Sequence, residues 1–92
     1  MKAIWNDIVL AESDDIVTIE GNPYFPMNSI KKEYFIESNA QTRCPWKGKA
    51  SYFSVTVNGK TNTDCAWHYP KPSFLAKKIQ GRVSFWNGVE IV

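Results

Sequence analysis

Ser51-Tyr52-Phe53-Ser54-Val55-Thr56-Val57-Asn58-Gly59-Lys60-Thr61-Asn62-Thr63-Asp64-Cys65 decides the fold class. Successive side chains of a strand point to opposite faces, so Phe53, Val55 and Val57 share one face and Tyr52, Ser54 and Thr56 the other. One face is expected in a core and the other wet or facing a ligand. Asn58-Gly59 then turns the chain, because both central residues of a type I′ turn need positive φ. Ser51 to Val57 and Lys60 to Cys65 therefore read as an antiparallel hairpin.

The same grammar extends in both directions. Ala3 to Trp5 and Ile8 to Glu12 flank Asn6-Asp7, a weaker turn signal because Asp bears a steric cost that Gly avoids. Arg82 to Trp86 and Val89 to Val92 flank Asn87-Gly88 and predict a third hairpin. Trp5-Asn6-Asp7-Ile8 and Trp86-Asn87-Gly88-Val89 echo each other, which suggests hairpins in equivalent places. Ile16 to Glu20 and Glu33 to Ile36 read as further strands, the second preceded by a helical turn at Asn28 to Lys31. Pro23 and Pro26 make Gly21 to Met27 a structured loop. The one helix expected is Ser73 to Ile79, with Ser73 as N-cap, Gly81 just past its end, and Leu75 and Ile79 docking it at i, i+4 spacing. The class is mainly β: a single small antiparallel domain with one short helix.

Length and composition bound what such a domain can be. At 92 residues the chain is one domain, residues 1–92. A chain of this size buries somewhat over ~60% of its unfolded surface, enough for one core. The net charge of +2 comes from small separated groups, Lys31-Lys32, Lys47 with Lys49, and Lys77-Lys78, which read as solvated surface. Nucleic acid is therefore not an expected partner, since it calls for a clustered basic stripe. No run of about 18 apolar residues exists, so no membrane span is expected. Met1-Lys2 leads straight into strand-like sequence, so no secretory leader is expected. The two cysteines are then expected as reduced thiols in a cytoplasmic protein.

Two segments gather the chemistry. Cys44-Pro45-Trp46-Lys47-Gly48 and Ala66-Trp67-His68-Tyr69-Pro70 lie about a hairpin apart and look like two walls of one pocket. Trp46, Trp67 and Tyr69, with Tyr24 and Phe25 as neighbours, can stack on a flat ligand while Lys47 meets an anionic group. The same rings can equally be core filling. Cys44 stands beside Arg43 and Lys47, and positive charge favours the reactive thiolate; the bland alternative is a small residue packed under Trp46. His68 is the only side chain that ordinarily titrates near neutrality, so it is the natural acid–base group, or else a structural histidine. Cys65 can be a resolving partner for Cys44 only if their Cα atoms come within about 7 Å. Cys65 and His68 have a metal-like spacing, but a structural zinc site needs a fourth ligand and no further Cys or His exists. No metal or cofactor is expected.

Trp5-Asn6, Val9-Leu10-Ala11-Glu12-Ser13, Tyr24-Phe25-Pro26, the two pocket segments with Ala50-Ser51-Tyr52, and Ile79-Gln80-Gly81-Arg82-Val83 with Phe85 together resemble one family, domain of unknown function 427. The resemblance runs essentially end to end. It implies a compact β domain similar to the β-tent architecture of the Mss4-like class. Some labels call this family a nucleotidyltransferase domain, yet this chain lacks the Gly-Ser turn and spaced metal-binding carboxylates that such chemistry uses. Zinc sites and methionine-sulfoxide reductases occur on folds of that class, but the four-cysteine pattern is absent here, so neither activity transfers. His68 and Cys65 depart from the family pattern, which weakens the histidine, redox-pair and metal readings and leaves Cys44 and the tryptophans.

Three functional readings follow. The first is a pocket of Tyr24, Cys44, Trp46, Lys47, Trp67 and Tyr69 for a small planar or anionic molecule. The second is a thiol-dependent enzyme with Cys44 as nucleophile and His68 as base. The third is a protein-interaction module with exposed aromatics.

Overall fold

Four two-residue turns with left-handed backbone organise the chain. In the computed structural model, which describes residues 1–92, Asn6-Asp7, Glu20-Gly21, Asn58-Gly59 and Asn87-Gly88 all have positive φ. Three of them close hairpins. Strand β1 (Lys2–Trp5) turns into β2 (Ile8–Glu12), β3 (Val17–Ile19) into β4 (Asn22–Pro26), and β6 (Gly48–Val57) into β7 (Lys60–His68). Between β4 and β6 lies β5 (Phe35–Cys44); β8 (Arg82–Phe85) and β9 (Glu90–Ile91) finish the chain.

The strands form two antiparallel sheets, β2-β1-β9 and β3-β4-β8-β7-β6-β5. The expected third hairpin is therefore not one. Asn87-Gly88 turns the chain, but β8 pairs with β4 and β7 while β9 crosses to pair with β1, Ala3 opposite Ile91. The side chains around the turn explain the departure. Asn62 and Asn87 exchange amide hydrogen bonds of 2.8 and 3.2 Å, and the Trp86 N–H donates to the Cys65 carbonyl at 2.9 Å. These contacts hold the turn against β7 and leave β9 free to leave the sheet.

Two other expectations are corrected. The loop at Gly21 to Met27 is largely strand β4. Its prolines are tolerated because β3 pairs with Asn22–Tyr24 and β8 only with Phe25 and Pro26, so each half has one open side. The expected strand Glu33 to Ile36 begins only at Phe35, since Lys32–Tyr34 is a 3₁₀ turn, but it then runs on through a polar stretch to Cys44. Pairing with β6 supplies the order that β5's own composition does not.

The core lies on both faces of β6. Val55 and Val57 point into one cluster with Leu10, Phe25, Val83 and Phe85, which the small sheet covers, and Phe53 packs against it. Ala50 points into a second cluster with Ile19, Tyr24, Tyr69 and Ile79. Burying a side chain the size of Leu or Phe contributes about 1.5–3 kcal/mol each. The second cluster is roofed by residues 74–79, expected as an α-helix and found as a kinked 3₁₀ segment broken at Ala76 (φ −113°, ψ 19°). A period of three buries Ala76 and Ile79 and leaves Leu75 75% exposed, so Leu75 does not dock the segment. Ser73 occupies the N-cap position, but its hydroxyl donates to the Trp46 carbonyl instead of capping. No helix is long and apolar enough to cross a membrane.

Candidate functional site

Pro45, Trp46 and Lys47 form the turn between β5 and β6, and the chain must pass close to residues 71–73 there. Gly48 has φ +111°, and a Cβ on it would lie 3.3 Å from the Lys71 carbonyl oxygen, so the position calls for glycine. The Ser73 N–H donates to the Lys47 carbonyl at 2.9 Å and, with the Ser73 hydroxyl on Trp46, clamps the turn over the second core cluster.

That clamp drives the Lys47 side chain inward. Lys47 is buried, 6% exposed, with its Nζ 5.5 Å from the ring centres of both Trp46 and Tyr69. A buried ammonium needs a partner. Glu20, in the left-handed turn between β3 and β4, supplies it as an ion pair, and Trp46 Nε1 donates to the same carboxylate at 3.4 Å. Burial alone pushes the Lys47 ammonium down, but the Glu20 hydrogen bond and nearby negative charge outweigh it and hold it above its ordinary value. The Lys47 hydrogen bond holds the Glu20 carboxyl below its ordinary value. Lysine stays charged here, with three donors and Glu20 as its hydrogen-bonded counter-ion.

Around this cation the rings are fixed by hydrogen bonds. Trp67 Nε1 donates to the Tyr24 hydroxyl at 3.1 Å, the two rings meeting edge-on at 89°. Tyr52 shares a 3.0 Å hydrogen bond with Thr42, and Trp86 Nε1 donates to the Asp64 carbonyl at 2.7 Å. Burial raises the Tyr69 hydroxyl above its ordinary value, so it stays protonated. Lys47, Tyr52, Trp67, Tyr69 and Trp86 line an open hollow of about 210 Å³.

All six residues of the expected pocket meet in this region. Lys47, Trp67 and Tyr69 line the hollow, Tyr24 is buried behind Trp67, and Cys44 and Trp46 pack against the same cluster. Three participants escaped sequence reasoning. Tyr52 alternates with Phe53 and so belongs to this face, a signal that was present in the strand pattern. Trp86 was absorbed into turn chemistry, and Glu20 sits in a Glu-Gly turn with no local mark of its partner.

His68 is elsewhere. Its ring stacks on Phe53 at 4.8 Å and 12°, and Phe53 packs on the first core cluster, whereas Cys44 packs on the second. Burial holds the His68 imidazole below its ordinary value, with Glu37 opposing weakly. The structure thus sets His68 and Cys44 against different clusters, without the contact a base and its nucleophile need. Both cysteines are free, and burial pushes the Cys65 thiol up to about 11. No three Cys, His, Asp or Glu side chains gather closely enough to hold a metal ion.

Residues 1–92 match one family model, described as Domain of unknown function (DUF427). No curated protein matches the chain.

Proposed function

The chain belongs to the DUF427 family, and from that premise we propose that it is a binding domain for a small planar anion, held in the aromatic hollow beside Lys47. One observation carries the reading: a desolvated cation and four aromatic side chains converge on a single opening. The rings offer flat faces to stack on, and the ammonium has donor capacity that Glu20 does not use. At about 210 Å³ the hollow is below the usual range for drug-sized ligands, which favours a one-ring acid over a flavin or dinucleotide. The reading also places the domain in the cytoplasm, where both thiols stay reduced, and in the Mss4-like β-tent class.

Thermal denaturation with a panel of one-ring aromatic carboxylates tests the proposal. A true ligand at 100 times its Kd adds about 2.7 kcal/mol of stability. The matched neutral amide and the Lys47→Met variant are expected to show no such gain. A flat response across the panel, or equal stabilisation of Lys47→Met, overturns the reading.

A further inference from the structure

The face of the large sheet carrying His68 bears a second feature, which adjoins the Lys47 hollow only at Tyr52, a residue that lines both. Three depressions of about 440, 290 and 390 Å³ lie side by side across β5, β6 and the end of β7. The first and second share Glu37; the second and third share Gln41, Ser51 and Pro70. They make one groove. Where the depressions meet, β5 is irregular: Glu37 stands opposite Phe53 and Gln41 opposite Ser51, so Ser38, Asn39 and Ala40 have no partner in β6 and form a bulge.

The groove is polarised. One end is walled by Met27, Ile30, Phe35 and Phe53. The other end carries Lys49 and Lys71, both exposed. Lys49 stands directly opposite Arg43 in the β5–β6 ladder, and no carboxylate forms an ion pair with Arg43, Lys49 or Lys71. Like charges facing across two strands are unfavourable, and an anion placed between them removes the repulsion. Glu37 at the join disfavours an anion in the middle, and Lys32 is a lone cation on the apolar rim. His68 floors the middle, its ring flat on Phe53.

We propose that this groove binds an amphipathic anion: an apolar chain lying on Phe35 and Phe53, ending in a carboxylate held by Lys49, Lys71 and Arg43. Phe53 and Lys49 are four residues apart on β6, so the ligand spans on the order of 13 Å between its apolar and charged contacts. A medium-chain fatty acid has that length and charge distribution.

His68 is the only histidine, so its ring resonance in proton NMR reports this groove alone, while the Trp67 indole N–H reports the other face. Titration with decanoate is expected to shift the His68 signal saturably and leave Trp67 unmoved. Decanol and acetate are each expected to bind at least tenfold more weakly, since one lacks the charge and the other the chain. A Lys49→Glu, Lys71→Glu double variant changes only exposed side chains and is expected to lose at least tenfold in decanoate affinity. The proposal is overturned if His68 does not respond, if Trp67 responds in its place, if decanol or acetate binds as well as decanoate, or if the double variant binds unchanged.

Discussion

The Glu20 carboxylate and the Lys47 ammonium form an ion pair in which one partner is buried and the other half exposed. That inequality makes their substitutions unequal. Glu20→Gln leaves a buried cation without its counter-ion, whereas Lys47→Met puts an apolar chain into the same space and leaves Glu20 in water. Glu20→Gln is expected to lower the urea midpoint more than Lys47→Met. The reverse order would mean that Lys47 is solvated in solution.

The pair also sets a pH window. Glu20 is held below its ordinary 4.5, so its contribution is present above that value and lost as pH falls through the folded pKa. Lys47 is held above its ordinary 10.5, so its contribution is present below that value and lost as pH rises through the folded pKa. Glu20→Gln should flatten the acid limb of a stability–pH profile. An unchanged acid limb would count against the pair.

His68 gives a limb of opposite origin. Its folded pKa lies below 6.5, so between the two values the unfolded chain binds a proton that the folded chain does not. Stability should therefore fall as pH drops through 6.5 toward the folded pKa, and His68→Phe, which keeps a flat ring on Phe53, should remove that slope. An NMR titration placing His68 above 6.5 would contradict the burial argument.

Trp67→Phe and Tyr24→Phe each delete one end of a 3.1 Å hydrogen bond. Each should cost about 0.5–1.5 kcal/mol, and the double variant less than the sum, because both remove the same interaction. Strict additivity in chemical denaturation would show that the bond contributes nothing.

The thiols should differ. With its pKa near 11 and its side chain buried, Cys65 should resist alkylation until the protein unfolds. Cys44, only partly buried, should be modified first when the native protein is followed by mass spectrometry. Modification of Cys65 ahead of Cys44 would contradict the packing described.

Much of the fold was legible wherever a strand alternates or a turn needs positive φ. The β1–β2 and β6–β7 hairpins, and the split of Phe53, Val55 and Val57 from Tyr52, follow from these local rules. What was not legible depends on partners distant in the chain. The polar run Gln41 to Arg43 becomes strand only because β6 lies beside it. β8 and β9 belong to different sheets because Asn62 grips the turn between them. The grouping of Tyr24, Trp46, Lys47, Trp67 and Tyr69 was readable from clustered aromatics. Glu20 was not, because a counter-ion 27 residues from Lys47 leaves no spacing signal.

The most direct test of the central claim is the response of the four tryptophan indole N–H signals to benzoate and nicotinate in two-dimensional NMR. Trp67 and Trp86 line the hollow and Trp5 packs on the other core cluster. Binding beside Lys47 predicts saturable shifts of Trp67 and Trp86, no shift of Trp5, and loss of the effect with benzamide or in Lys47→Met. Silence at Trp67 and Trp86, or shifts that survive the loss of Lys47, would contradict the account.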